Sequence, residues 1–423
     1  MLEIIKRALR ALSVDSYTIE EETKESSELF FVKKALDLRR MKDVTLWTVR
    51  VFRAFTEGGR DFLGDAEFTV SPGTNETELQ EQIRKAYISA GTVKNPAYPL
   101  YRGTSEDTVT IPSGLNALST QEIAASFADS LFKADVREDA FINSAEFFAE
   151  KVKVRFVSSE NFEKSYEKCS VRGEFVTQCK VPQDVEQYFS FCYEDFTPEA
   201  LTEKTEKALD TVRDRAAAYE CPKSGSCDVI LSGENLKGVL QYYLARANAM
   251  PVFAGYFDKK PGDSIQGEAV KGEKLKITLL PNVPFSREGI PMRERPLLKD
   301  GVLQFLQADQ RFASYMNIEP TGMYRKMRVE NGTVPFETLK KGCLYPVTFS
   351  DLQVDPMSGR FGGEIRLAYF FGEDGVKILT GGSVNGTITE KQDDLVFSTE
   401  KYEDSDYSGP FAVRMKGIAV AGI

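Results

Sequence analysis

The first 218 residues carry one pattern twice: an amphipathic helix, a run of alternating strands, and a closing helix. That order restricts the fold more than any other feature of the chain. In the first copy, Leu2, Ile5, Leu9 and Leu12 mark one side of a helix over about 3–13. Alternation then predicts strands at 16–22, 28–36, 44–56 and 61–69, and helical spacing returns at 76–89. A Pro-bearing connection, 95–114, leads to the second copy. It reads as a helix at 119–133, strands at 140–148, 151–158, 163–171, 174–178 and 185–193, and a helix at 198–218. Strands joined by short turns pair antiparallel. The expectation is an α+β N-terminal domain over 1–220, with tandem α-β-α units at 1–93 and 118–218.

From residue 221 the texture changes. Helical spacing survives only at 238–249 and 304–315. Short apolar runs between Gly, Pro, Asn and Asp predict strands at 274–280, 344–350, 363–371, 376–379, 383–389, 394–400 and 411–420. Many short strands at regular spacing favour a barrel or sandwich, so 221–423 is expected to be a β-rich C-terminal domain.

The 423 residues include no histidine. Ser-His-Asp and Cys-His nucleophile activation, His general-base catalysis and His-ligated metals are therefore unavailable. With 54 Lys plus Arg against 64 Asp plus Glu, the net charge is −10. The basic residues come only in pairs such as Lys33-Lys34, Arg39-Arg40 and Lys340-Lys341, with acids nearby, so no stripe suits a nucleic-acid backbone. No run approaches the roughly 20 apolar residues of a membrane helix, and the charged N-terminus lacks a signal-peptide core. The expected location is the cytoplasm, where the six cysteines stay as free or buried thiols. Gly381-Gly-Ser-Val-Asn-Gly386 reads as a turn between strands, with no following helix to make it a phosphate loop. Asp258, Asp263 and Glu288 sit near turn glycines and read as surface or turn acids.

One segment has the form of a site. Val229-Ile-Leu-Ser-Gly-Glu-Asn-Leu-Lys-Gly-Val-Leu-Gln-Tyr-Tyr-Leu-Ala-Arg-Ala-Asn248 reads as a strand, a turn with Ser232 as candidate cap, and a helix. Leu236, Val239, Leu240, Tyr243, Leu244 and Ala247 share one helix face, which is the pattern of a helix packed into a core. The segment also resembles the strand and helix that carry the zinc-binding HExxxH motif of the TldD/PmbA (TldD/TldE) metallopeptidase family. Aligned on Gly238-Val239-Leu240, the motif's first histidine falls on Tyr242, its glutamate on Tyr243 and its second histidine on Ala247. All three are replaced. Alanine has no donor, and a phenol does not take a water proton as a carboxylate does.

The resemblance continues downstream. It covers the Gly-x-Pro strand pair at 287–306, the segment Gln310–Arg325, loosely the segment Asp355-Pro-Met-Ser-Gly-Arg-Phe-Gly-Gly-Glu-Ile-Arg366, and the close Gly409-Pro…Val413…Ile418-Ala-Val-Ala-Gly422. It is close over 221–423 and architectural over 1–220. It implies two subunits around an enclosed cleft, one of them holding zinc, with a C-terminal cysteine among its ligands. The stretch 402–423 has no cysteine here. The chain is thus expected to be a TldE/PmbA-like pseudoenzyme that binds no cofactor itself. Zinc would sit in a TldD-like partner, and the pair would act on unfolded peptides. The rival expectations are a homodimeric peptide-binding or scaffold protein, and a carboxylate-based hydrolase. Arg287, Arg293, Arg295, Arg311 and Arg325 cluster in the resembling segment, and arginines there could clamp a peptide carboxylate. The family's label as a gyrase modulator finds no support in the charge balance.

Overall fold

In the computed structural model, which describes residues 1–422, each helix–strand–helix unit contributes three strands to one sheet. The first unit is α1 (Leu2–Ala11), β1 (Ser16–Val32), β2 (Ala35–Glu57), β3 (Arg60–Val70) and α2 (Glu76–Ala90). After the short β4 (Val109–Thr110), the second is α3 (Thr120–Lys133), β5 (Ala140–Ser158), β6 (Phe162–Cys179), β7 (Val185–Tyr193) and α4 (Pro198–Ala217). The long strands run in the order β3-β2-β1-β5-β6-β7, all antiparallel, so the first strands of the two units meet at the centre. Capping boxes at Asn75/Glu78 and Ser119/Glu122 start α2 and α3, satisfying helix N–H groups that have no partner within the helix.

The strands are longer than the pattern suggested. The polar run 23–27 reads as a break, yet it pairs with β2 on one side and β5 on the other. Hydrogen bonds on both edges hold it extended regardless of its side chains. The expected break before Glu174 also disappears. Gly173 lies within β6, paired on both sides, and only glycine fits there because a Cβ would fall 2.1 Å from the Glu146 carbonyl and 2.5 Å from the Phe191 ring.

The helices share one face of the sheet. Ile19 joins the core under α1 and α2, Leu29 joins the core under α3 and α4, and the two are ten residues apart on β1. An even spacing along a strand keeps side chains on the same side. The opposite face, around Thr18, Glu20 and Phe156, meets the C-terminal half.

That half holds a closed barrel of five strands. Leu344–Val354 pairs with β8 (Gly225–Ser232), then come Ala412–Ala421, Ser383–Thr387 and Arg360–Gly372, which returns to Leu344–Val354. A second sheet orders Val302–Leu303, Arg295–Lys299, Ile277–Leu280, Lys326–Val329, Tyr407–Pro410 and Lys401–Glu403. The α+β class, the antiparallel N-terminal sheet and the β-barrel are those expected. Two details differ. The helix expected at 304–315 is confined to Gln310–Met316, because Gln307 is drawn into backbone pairing with Ala247 and Ala249 and Asp309 caps the helix at Phe312 N–H, 2.8 Å away. Within 381–386, only Gly381 and Gly382, both with positive φ, make the turn; a strand and one helical turn, Ile388–Lys391, follow. Among the described residues no helix is long and apolar enough to cross a membrane.

Candidate functional site

β8 delivers the chain to α5 (Glu234–Arg246) through Gly233, whose φ of 53° and ψ of −125° suit glycine alone. Ser232 is not the cap. Its hydroxyl is 2.8 Å from the Tyr345 hydroxyl, and α5 begins with no side-chain cap. The first turn is held by charge instead. Lys237 Nζ lies 2.7 Å from both Glu234 and Asp404, and the Tyr402 hydroxyl donates to Glu234 at 2.9 Å.

The motif positions all face inward. Tyr242 is 3% exposed, while Tyr243 and Ala247 are fully buried among barrel and sheet residues. Tyr243 Oη donates to Gln392 Oε1 at 2.9 Å, and burial drives its ionisation far above the usual tyrosine range. Tyr242 packs edge-on against Tyr243, and Gly359 of the turn 355–359 lies against its ring. A Cβ on Gly359 would sit 3.0 Å from the Tyr242 ring. Burial raises the Tyr242 phenol as well. Two protonated phenols and a methyl group therefore occupy this stretch at neutral pH. The end of α5 is also filled: Gln307 Nε2 donates to the Leu244 carbonyl at 2.8 Å, and Tyr324 N–H donates to Gln307 Oε1 at 3.0 Å. Among the described residues, no three His, Cys, Asp or Glu side chains are grouped to hold a metal.

The next residue after that tether, Arg325, opens onto a different feature. A cavity of about 370 Å³ lies between the N-terminal sheet and the segment 283–325. Phe156, Tyr166, Phe285 and Met292 supply apolar wall; Glu20, Arg50, Glu67, Arg287, Glu288 and Arg325 supply charge. Arg287 is paired with Glu67 at 3.0 Å. Arg50 binds Asp65 at 2.8 Å and stands 4.0 Å from Glu288. Burial raises the Glu288 carboxyl, against the pull of the Gln310 N–H that donates to it at 2.8 Å and of Arg50 and Arg311. Burial likewise raises Glu20, opposed by Arg287. Among the described residues no carboxylate lies within 4.0 Å of Arg325, which is exposed at the rim.

Of the arginines singled out by sequence, Arg287 and Arg325 line this cavity. Arg311 stands behind it, donating to Asn95 Oδ1 at 3.0 Å. Arg293 and Arg295 lie outside; Arg295 pairs with Glu319 at 2.7 Å, and Arg293 is exposed. Glu288 belongs to the cavity and is no surface acid, whereas Asp258 and Asp263 take no part. Sequence reasoning missed Glu20, Arg50 and Glu67. They project from the sheet face opposite Ile19, Val49, Ala66 and Phe68, which pack on the core, and only the docking of the second half marks them out.

The sequence profile of the PmbA/TldA metallopeptidase C-terminal domain matches residues 224–422. Comparison with curated protein sequences gives no significant match. Three solved structures share the fold over essentially their full lengths. TldE from Thermococcus kodakarensis aligns with a TM-score of 0.78 at 14% identity, covering 100% of both chains. A Thermotoga maritima protein described as a candidate modulator of a DNA gyrase aligns at 0.76 and 14%, covering 99% of this chain and 100% of its own. A Bacteroides thetaiotaomicron protein similarly described aligns at 0.76 and 16%, covering 100% and 99%.

Proposed function

We propose, for a chain that belongs to the TldD/PmbA family through its C-terminal domain, that it is a non-catalytic subunit without a zinc site of its own. On this reading, cleavage of unfolded peptides takes place on the metal of a companion of the same fold. The observation that carries the reading is the buried Tyr243 hydroxyl, committed to Gln392 where the motif's glutamate falls, with donorless Ala247 one turn on. A zinc ion needs deprotonated nitrogen, sulfur or carboxylate donors, and this stretch offers none. The subunit's contribution would be to complete the cleft and hold the peptide, lowering the entropic cost of the companion's reaction. Arg325, at the cavity rim and without an ion-pair partner among the described residues, is the residue we assign to a peptide carboxylate. The cytoplasm is the proposed setting.

The test is metal analysis and peptidase assay of the purified chain. Less than stoichiometric zinc and no turnover are expected, with cleavage appearing on addition of a zinc-bearing companion. Tightly held stoichiometric zinc, or turnover by the chain alone, would overturn the reading.

A further inference from the structure

Seven charged side chains line the cavity between the N-terminal sheet and the segment 283–325, and five of them are matched within the chain. Glu67 and Arg287 pair with each other at 3.0 Å, and Arg50 binds Asp65 at 2.8 Å. Glu288 accepts from the Gln310 N–H at 2.8 Å, and Asp309 from the Phe312 N–H at 2.8 Å. That leaves Glu20 and Arg325, one of each sign. Among the described residues neither has an ion-pair partner within 4.0 Å, and neither side chain takes part in a hydrogen bond. The sheet register surrounds Glu20 with suitable company. Its cross-strand neighbours are Thr48 on β2 and Phe156 on β5, and both line the cavity. Side chains directly opposite in a ladder share a face. A carboxylate, a hydroxyl and an aromatic ring on one patch are the groups an ammonium ion binds, since it carries three donors and is drawn to a ring face. Arg325 belongs to the other wall, next to the tethered Tyr324, and its guanidinium matches a carboxylate.

We propose that the cavity binds a short peptide with both termini free, its amino group at Glu20 and its terminal carboxylate at Arg325. This deepens the reading above and takes from it the role of Arg325. A stretch from the middle of a longer chain brings no charge to either residue. It would leave both unmatched, where burial already works against the Glu20 carboxylate. A simple amine or a simple anion satisfies one residue and strands the other. The volume of about 370 Å³ lies at the low end of the roughly 300–1,000 Å³ of small-molecule sites, which suits about two or three residues. Tyr166, Phe285 and Met292 offer apolar surface to their side chains. Hydrolysis adds water across a peptide bond and leaves one new ammonium and one new carboxylate terminus. Fragments with both ends free are therefore what cleavage by a companion delivers.

The experiment is isothermal titration calorimetry of the full chain, with EDTA present, against the tripeptide Ala-Leu-Ala in three forms: both termini free, N-acetylated, and C-amidated. The free form should bind, and each cap should weaken binding about tenfold or more, since a hydrogen bond to a charged group is lost at that end. Glu20→Gln should abolish the effect of acetylation and keep that of amidation, and Arg325→Gln should do the reverse. Far-UV circular dichroism checks that both variants are folded, and the capped peptides on wild type decide the matter if either is not. No binding of the free form at millimolar concentration would overturn the proposal, as would equal binding of all three forms. Weakening by amidation alone would also overturn it, while leaving the carboxylate assignment of Arg325 intact; weakening by acetylation alone would overturn both. With the chelator present, none of these outcomes bears on the zinc reading.

Discussion

Replacing Tyr243 with phenylalanine tests whether this hydroxyl is structural. The ring is fully buried, and its oxygen donates to Gln392 Oε1 at 2.9 Å. Tyr243→Phe keeps the packing and removes one atom, so the cavity cost is small. What remains is Gln392 Oε1 stranded on a side chain that is 5% exposed. A buried acceptor left without its donor costs about 1–3 kcal/mol. Gln392→Leu strands the Tyr243 hydroxyl instead, with a loss of similar size. The double variant strands neither, so its loss should fall short of the sum by about 1 kcal/mol or more. Urea unfolding should be followed by far-UV circular dichroism. The single tryptophan, Trp47, lies in β2 and reports the N-terminal sheet, not the barrel. A midpoint unchanged by Tyr243→Phe, or strictly additive losses, would refute the pairing. It would free the hydroxyl for a role that the zinc-less reading denies it.

Other expectations follow from the same geometry. Gly289 has φ 77°, and a Cβ would fall 2.6 Å from the Phe162 ring and 2.8 Å from Phe156. Gly289→Ala should therefore cost at least about 2 kcal/mol through strain and overpacking, and limited proteolysis should cut the 283–292 segment faster. Arg40 and Lys42 hold Glu28 below its ordinary value of 4.5 against burial. Its contribution is then complete above that value and lost as pH falls through the lowered one. Glu28→Gln should be destabilising at neutral pH, and the gap to wild type should close in acid denaturation. Glu288 has the opposite sign, its carboxyl being raised by burial. Its charged form costs stability as pH rises above 4.5, so Glu288→Gln should stabilise at neutral pH and change little at pH 4. Equal effects at both pH values in thermal melts would contradict this.

How much was legible in the sequence follows from which interactions are local. The helices of the first half were readable because caps such as Asn75 and Ser119 sit beside the apolar stripes they start. Strand lengths were not, because residues 23–27 are polar and only their neighbours on both sides make them β. The loss of the metal motif was legible by resemblance alone. What replaced it was not, since Tyr243 and Gln392 are 149 residues apart. The cavity is the extreme case. Arg287 and Glu67 stand 220 residues apart in sequence and 3.0 Å apart in space, and nothing near either residue signals the other.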